Sequence, residues 1–284
     1  MDLRKALNAV SDVVANRPPA IREFDQIYMK HADLLIQTEL VSKWFSDRDV
    51  VFVGDGDAVG LCLTYLHSLG ELQSGPRRVL VIDFDERVVN SVDAFAARYS
   101  LKDKISAQLY NVADSFPQEL WGSFNAFYTN PPFGAINSGI SIRSFLLRGL
   151  EACNNDCLGC VVLADSAKKD PKWVNEVLFN VQKFILDQGC ITAEMIPKLH
   201  TYHLDDDPTL TSCSIIFKRI RENAEHYCSN PLKQADRKNF YGTNRHLEVR
   251  YVRDSRERSE MGFPISSEYQ IEYFDKLLPT EGTS

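Results

Sequence analysis

Residues 49–86, "DVVFVGDGDAVGLCLTYLHSLGELQSGPRRVLVIDFDE", decide the fold. A β-branched and aromatic run, "DVVFV", stops at a glycine, an apolar segment from about Val59 to Leu69 has helical spacing, and a second apolar run, "RVLVID", ends on acids. Strands separated by a helix pair in parallel through a right-handed crossover. The alternation continues through helix "ERVVNSVDAFAARYS", strands "ISAQLYNV" and "NAFYTN", helix "IRSFLLRGLEACN", strand "CVVLAD", helix "DPKWVNEVLFNVQKFILDQG" and strands "ITAEMI" and "CSIIFKRI". The pattern predicts a doubly wound, mostly parallel α/β sheet over residues 46–220. Before it, "MDLRKALNAVSDVVAN" has helical spacing, "RPP" breaks it, and "REFDQIYMKHADLLIQTELVSKWF" recovers it towards its end, so residues 1–45 read as a short helical extension. Residues 221–284 read as an irregular C-terminal extension packing on the α/β domain.

Composition narrows the function classes. The 284 residues are 44% hydrophobic and 25% charged, enough for a full core. Apolar runs fall well short of the roughly 20 residues of a membrane span, and "MDLRKALNAV" lacks the apolar core of a signal peptide, so a soluble cytoplasmic protein without membrane contact is expected. Of seven cysteines, Cys160, Cys190 and Cys213 sit in strand-like runs and read as reduced thiols; Cys153, Cys157 and Cys160 lack a spaced fourth ligand, so no metal is expected. A net charge of −7 offers no global field for nucleic acid and leans towards cationic or neutral substrates. The locally basic residues 218–258 read as a solvated, irregular face.

Ligands of such sheets sit at the carboxyl ends of the strands, so the residues just after each strand are the candidate site. The first strand ends in "GDGDAVG": Gly54 and Gly56 let backbone approach a nucleoside, while Asp55 and Asp57 would repel a pyrophosphate and suit a sulfonium or an amine. The second ends in Asp83 and Asp85, placed to accept hydrogen bonds from ribose hydroxyls, with Asp85 also readable as a helix cap. After the third, Asn111 or Asp114 is within reach of an adenine amino group. The fourth ends in Asn130-Pro131-Pro132-Phe133: the Asn130 side chain and the Pro131 carbonyl can hold both hydrogens of a planar amino group while Phe133 stacks on its ring. Downstream, "PKLHTYHLDDDPTLTSC" offers His200, His203, Asp205, Asp206 and Asp207 to a metal or cationic substrate, or forms a solvated turn; Tyr202 is a candidate pocket wall. Asp165, Lys168 and Lys169 border the fifth strand end, with helix capping at Asp170-Pro171 the simpler reading.

Together the four strand ends resemble a Rossmann-like class I S-adenosylmethionine-dependent methyltransferase, whose Asn-Pro-Pro-aromatic signature marks enzymes that methylate planar amino groups. The order "EFDQ", "VVFVGDGDAVG", "VLVIDFDERVV", "FYTNPPFG", "FLLRGLEA" resembles, from about Glu23 to Arg219, the branched-chain polyamine synthases, which move aminopropyl groups from decarboxylated S-adenosylmethionine to a spermidine nitrogen. That resemblance implies a "GDDD" loop and an Asp-Pro-Pro-Glu type motif whose aspartate helps deprotonate the nucleophile; this chain has Gly54-Asp55-Gly56-Asp57, Asn130 and Phe133 instead.

An ammonium nucleophile needs a base, and asparagine is not one. The reading therefore favours methyl transfer from S-adenosylmethionine to a planar amine, aligned by Asn130 and Pro131 with Phe133 stacking. Its alternative is aminopropyl transfer with Asp55 or Asp57 as base, and a third is a non-catalytic nucleoside or polyamine sensor. In these readings Gly54, Asp55, Gly56, Asp83, Asp85 and Asn111 hold the donor, and Phe133, Tyr202, His203 and Asp205 meet an amine-bearing acceptor, either nucleic acid or polyamine. A homo-oligomer is compatible with the sequence.

Overall fold

A computed structural model describes residues 1–166, 171–205, 207–221, 229–241, 248–260 and 262–274. Its centre is a sheet of β1 (Asp49–Val53), β2 (Arg78–Asp83), β3 (Ile105–Leu109), β4 (Phe124–Thr129), β5 (Cys153–Ser166), β6 (Cys190–Thr201) and β7 (Thr211–Arg219), in the order β3-β2-β1-β4-β5-β7-β6. Strands β1 to β5 pair in parallel, and β7 runs antiparallel between β5 and β6. This is the Rossmann-like class I methyltransferase arrangement. The order reverses at β1, whose neighbours are β2 and β4, so the crevice for a ligand opens at their carboxyl ends.

Helices cover both faces, which is why the central strands are apolar without alternation; Val50 to Val53 are all buried. One core layer joins α1 (Leu3–Asn16), α2 (His31–Trp44), α3 (Val59–Ser68) and α4 (Glu86–Arg98) to the sheet. The other joins α5 (Ile140–Ala152) and α6 (Pro171–Asp187), together with Ile21 and Phe24 and the C-terminal residues Phe240, Tyr241 and Val252. The ends of α1 and α4 follow local chemistry: Asp2 accepts from the Arg4 and Lys5 amides, and Asp85 from Arg87.

Three sequence expectations change. The second helical stretch is shorter than its periodicity suggests: after a 3-10 turn at Arg22–Phe24, residues 25–30 run as a strap before α2 begins. Strand β5 starts at Cys153 rather than Cys160, through a bulge opposite Phe124 and Ala126. The C-terminal region is not irregular throughout, because β8 (Val249–Asp254) and β9 (Tyr269–Tyr273) pair as an antiparallel ribbon against α4. Its arginines are spent internally: Arg253 on Glu86 and Glu272, Arg256 and Arg258 on Asp254, and Arg250 near Asp114. This ribbon is a docked element, not a free basic face. No helix among the described residues is long and apolar enough to cross a membrane.

Candidate active site

The loop after β1 turns sharply because Gly54 takes φ +72, a conformation that costs glycine little. The chain then enters α3 with the Asp55 carboxylate accepting from the Val59 and Gly60 amides, at 2.9 Å each. A Cβ on Gly60 would lie 2.9 Å from that carboxylate, so only glycine fits. The α3 N-terminus, where a phosphate would otherwise dock, is thus filled by the protein's own acid. Asp57 is equally engaged: one oxygen accepts from Met29 N at 2.7 Å, the other from Asn130 Nδ2 at 2.7 Å, and Arg17 Nη1 lies 3.7 Å away.

At the end of β2, Asp83 braces two loops, accepting from the Asp55 amide at 3.0 Å and the Asp85 amide at 2.9 Å. At the end of β4, the amide of Asn130 donates to Asp57 and adjoins the Tyr202 hydroxyl, which leaves the Asn130 carbonyl oxygen as its remaining polar atom. The strap closes the site from above. Asp25, in a left-handed conformation at φ 58, accepts from the Phe133 amide at 3.2 Å, and Gln26 reaches Asp85.

These elements border one cavity that opens to solvent. Asp25, Asp55, Asp57 and Asp83 line it; Asn130, Pro131 and Phe133 form one end, and the rings of Phe24, Phe84 and Tyr241 form a mutually packed wall. No Lys, Arg or His is among the described lining residues. Burial pushes all four carboxyls up: Asp25 to about 6, against the Phe133 amide and Arg22, and Asp83 to about 7, with Asp85 adding to the rise. Burial also raises Asp55, opposed by the α3 amides, and Asp57, opposed by Arg17, Met29 and Asn130. Loss of water penalises each charge, and a cationic ligand would supply the missing compensation.

The structure brings Gly54, Asp55, Gly56, Asp57, Asp83, Asn130, Pro131 and Phe133 to one cavity. Others depart from the sequence reading. Asp85 lies outside, fully buried as the α4 cap and paired with Arg87 at 2.6 Å, so it has no capacity for ribose. Asn111 reaches the cavity wall, but its amide donates to the carbonyls of Val249 and Arg250 and its oxygen accepts from Ala113; it ties β8 to the sheet rather than reading adenine. Asp114 faces Arg250 and Tyr251. Tyr202 is buried behind Phe133, edge-on at 5.8 Å, with its hydroxyl on Ser212, and supports the ring instead of lining the pocket. His203 and Asp205 are exposed and outside the cavity, His203 facing His31.

His200 is no ligand. It is buried between Ser212 and Gln37, and burial lowers it to about 4, so it is neutral. Asp207 binds Thr209, while Asp165 binds Thr211 and the Lys198 amide. Asp206, Lys168, Lys169 and Asp170 lie outside the described residues. Among the described residues no cluster of His, Cys, Asp or Glu is arranged to hold a metal ion.

Sequence reasoning missed Asp25, Tyr28 and the Phe24–Phe84–Tyr241 wall. The strand-end rule does not reach a strap that precedes β1 or a ring contributed from the C-terminal region. The one signal was "EFDQ", which contains both Phe24 and Asp25.

Known proteins share this architecture. The N(4)-bis(aminopropyl)spermidine synthase of Thermus thermophilus is 28% identical over 189 residues, 66% of this chain and 50% of that one. The enzyme of the same name from Thermococcus kodakarensis is 22% identical over 200 residues, 69% and 52% of the two chains. The chain thus spans about half the length of these curated relatives. The branched-chain polyamine synthase of Thermus thermophilus, solved with N4-aminopropylspermidine and 5'-methylthioadenosine, superposes with a TM-score of 0.67 at 22% identity, over 81% of this chain and 67% of that one. A Pyrococcus horikoshii structure, named as a proposed RNA methyltransferase, gives 0.55 at 15% identity, over 77% and 100%. Both likenesses establish the fold. The family model for the branched-chain polyamine synthase A C-terminal domain matches residues 5–261, and the chain belongs to that family.

Proposed function

We propose that the protein transfers an aminopropyl group from decarboxylated S-adenosylmethionine to a polyamine nitrogen. The observation that carries this reading is the cavity's charge: Asp25, Asp55, Asp57 and Asp83 line it, with no basic side chain among the described lining residues. S-adenosylmethionine carries a carboxylate that would meet these acids without a partner, whereas the decarboxylated donor and a polyamine bring only positive charge. Aromatic walls beside carboxylates suit alkylammonium groups, which gain from both. The named activity of the relatives supports the same chemistry, and with the cavity it reverses the sequence-based preference for methyl transfer.

In this reading Asp83 holds the donor ribose and Gly54 and Gly56 let the backbone come close to it. Asn130 offers its carbonyl oxygen to an N–H of the acceptor, orienting the nitrogen towards the sulfonium carbon. Methyl transfer to a planar amine is the second reading, favoured by Asn130 alone. Titration calorimetry with both donors separates the two. Selective binding of the decarboxylated donor is expected, and equal or tighter binding of S-adenosylmethionine would overturn the proposal.

A further inference from the structure

Behind Asn130 a row of polar side chains runs into the core between α2 and strands β6 and β7. Tyr202 is almost fully buried, and Gln37, His200, Ser212 and Ser214 are entirely so. Burying such groups is costly unless each finds a partner, and here they satisfy one another. The Tyr202 hydroxyl lies 2.6 Å from Ser212 Oγ, which lies 2.8 Å from His200 Nδ1, and His200 and Ser212 are directly opposed in the β6–β7 register. His200 Nε2 is 2.8 Å from Gln37 Oε1, and Ser214 Oγ donates to the same oxygen at 2.8 Å. Gln37 Nε2 turns the other way, to Cys160 Sγ at 3.8 Å. At the cavity end the Tyr202 hydroxyl is hydrogen-bonded to the Asn130 side chain.

Donor and acceptor roles along the row follow from its two ends. Asp57 presents a carboxylate oxygen to Asn130 Nδ2 at 2.7 Å, so the amide nitrogen sits there and its second hydrogen is the one that the Tyr202 oxygen accepts. Tyr202 has a single hydrogen, which goes to Ser212, and the Ser212 hydrogen goes to His200 Nδ1. At the far end an amide oxygen faces His200 Nε2, and only an N–H can meet it. Both ends thus require the same imidazole tautomer, with the proton on Nε2 and none on Nδ1. Burial lowers His200 to about 4 against the opposing charge of Asp33, so the ring is neutral and has one proton to place.

We propose that Tyr202, Ser212, His200 and Gln37 are positioning residues that hold the Asn130 amide with its nitrogen towards Asp57 and its carbonyl oxygen free for the acceptor N–H, an inference that rests on the role given to Asn130 in the aminopropyl-transfer reading. The amide of asparagine is nearly symmetric in shape, and a flip would set an N–H against the acceptor N–H and an oxygen against the Asp57 carboxylate. Tyr202 would then have to donate to Asn130, and each hydrogen bond from Tyr202 to Gln37 would reverse or be lost. A side chain held in one orientation keeps the attacking nitrogen aligned. The row also gives the asparagine a reason: an aspartate at 130 has no N–H for Asp57 or for Tyr202.

Two measurements test this. Imidazole nitrogen NMR on the full chain, with His200 identified by its absence in His200→Gln, should show a neutral ring protonated at Nε2 near neutral pH. A ring protonated at Nδ1, or a cationic one, overturns the proposal. The second measurement is a double-mutant cycle read in kcat with decarboxylated S-adenosylmethionine and spermidine. Tyr202→Phe should lower kcat about tenfold, the scale of one hydrogen bond, with the KM for the donor unchanged. Ser212→Ala, at the next link, should behave alike. In an Asn130→Ala background neither substitution should cost anything further, because both act through Asn130. An equal loss in both backgrounds marks a merely structural role and contradicts the proposal, as does a wild-type kcat in Tyr202→Phe. A wild type without turnover from this donor overturns the aminopropyl reading instead, and the His200 tautomer then decides for or against the row by itself.

Discussion

Two acid-rich regions of this molecule treat the same side chain in opposite ways. In the two strands of the C-terminal ribbon both carboxylates meet an arginine: Asp254 is bound by Arg256 and Arg258, and Glu272 by Arg253, which also reaches Glu86 of α4. Burial pushes the Asp254 carboxyl up, but hydrogen bonds from Arg256 and Asn90 outweigh it and leave it well below its ordinary value. In the cavity, where among the described residues the guanidinium that contacts an acid belongs to Arg17, burial prevails and the carboxyls rise. Paired charge in the ribbon fastens one segment of chain to another. Charge in the cavity is only partly compensated, by backbone amides, Asn130 and Arg17, and a cationic ligand would supply the remainder.

The two regions respond to pH with opposite signs. Asp25 and Asp83 move from 3.8 unfolded to about 6 and about 7 folded, so between those values the folded state holds more protons. Their stabilisation of the ligand-free protein is present below pH 4 and lost as pH rises through 6 to 7, an effect on the order of 7 kcal/mol for the two groups together. Asp254 acts with the opposite sign: its folded value is depressed, so its contribution is present above pH 4 and lost as pH falls. Denaturant melts from pH 4 to 8 should show stability falling with pH without polyamine and largely restored with it; a ligand-free curve that rises over this range would contradict the assignment of the cavity acids.

Cutting the ribbon's pairing should cost somewhat less. Arg256→Ala leaves Asp254 buried with weaker compensation and is expected to destabilise by about 3 kcal/mol in urea unfolding, without altering donor preference. A loss within the ordinary surface scatter of about 0.5 kcal/mol would mean that Arg258 and Asn90 suffice. The smallest effect is expected for Asp83→Asn, which keeps one of the two backbone-amide contacts and weakens the acceptor for ribose hydroxyls. Affinity for 5'-methylthioadenosine should fall about tenfold, or 1.4 kcal/mol, and an unchanged affinity would move the ribose elsewhere.

Much of the fold was legible because parallel strands covered on both faces are written as continuous apolar runs, and "VVFV" and "VLVI" carry that signature without ambiguity. The strand-end rule then located Asp55, Asp57, Asp83 and Asn130 at one cavity. The ribbon escaped because a bulge between Val249 and Tyr251 breaks the period-two alternation by which a strand is recognised. Asp85 and Asn111 sit at strand ends as the rule requires, yet their hydrogen-bonding capacity is consumed by Arg87 and by the ribbon carbonyls, partners that sequence spacing does not reveal. Asp25 escaped for the converse reason: it meets Phe133 across a separation of 108 residues, and only tertiary structure brings a strap residue over a sheet.

In the proposed reading this cavity serves an aminopropyl donor and a polycation. Mass analysis of a reaction containing the protein, spermidine, and an equimolar mixture of S-adenosylmethionine and its decarboxylated form tests it directly. Aminopropylated spermidine together with 5'-methylthioadenosine is the predicted product pair. A methylated acceptor with S-adenosylhomocysteine, and no aminopropyl product, would contradict it.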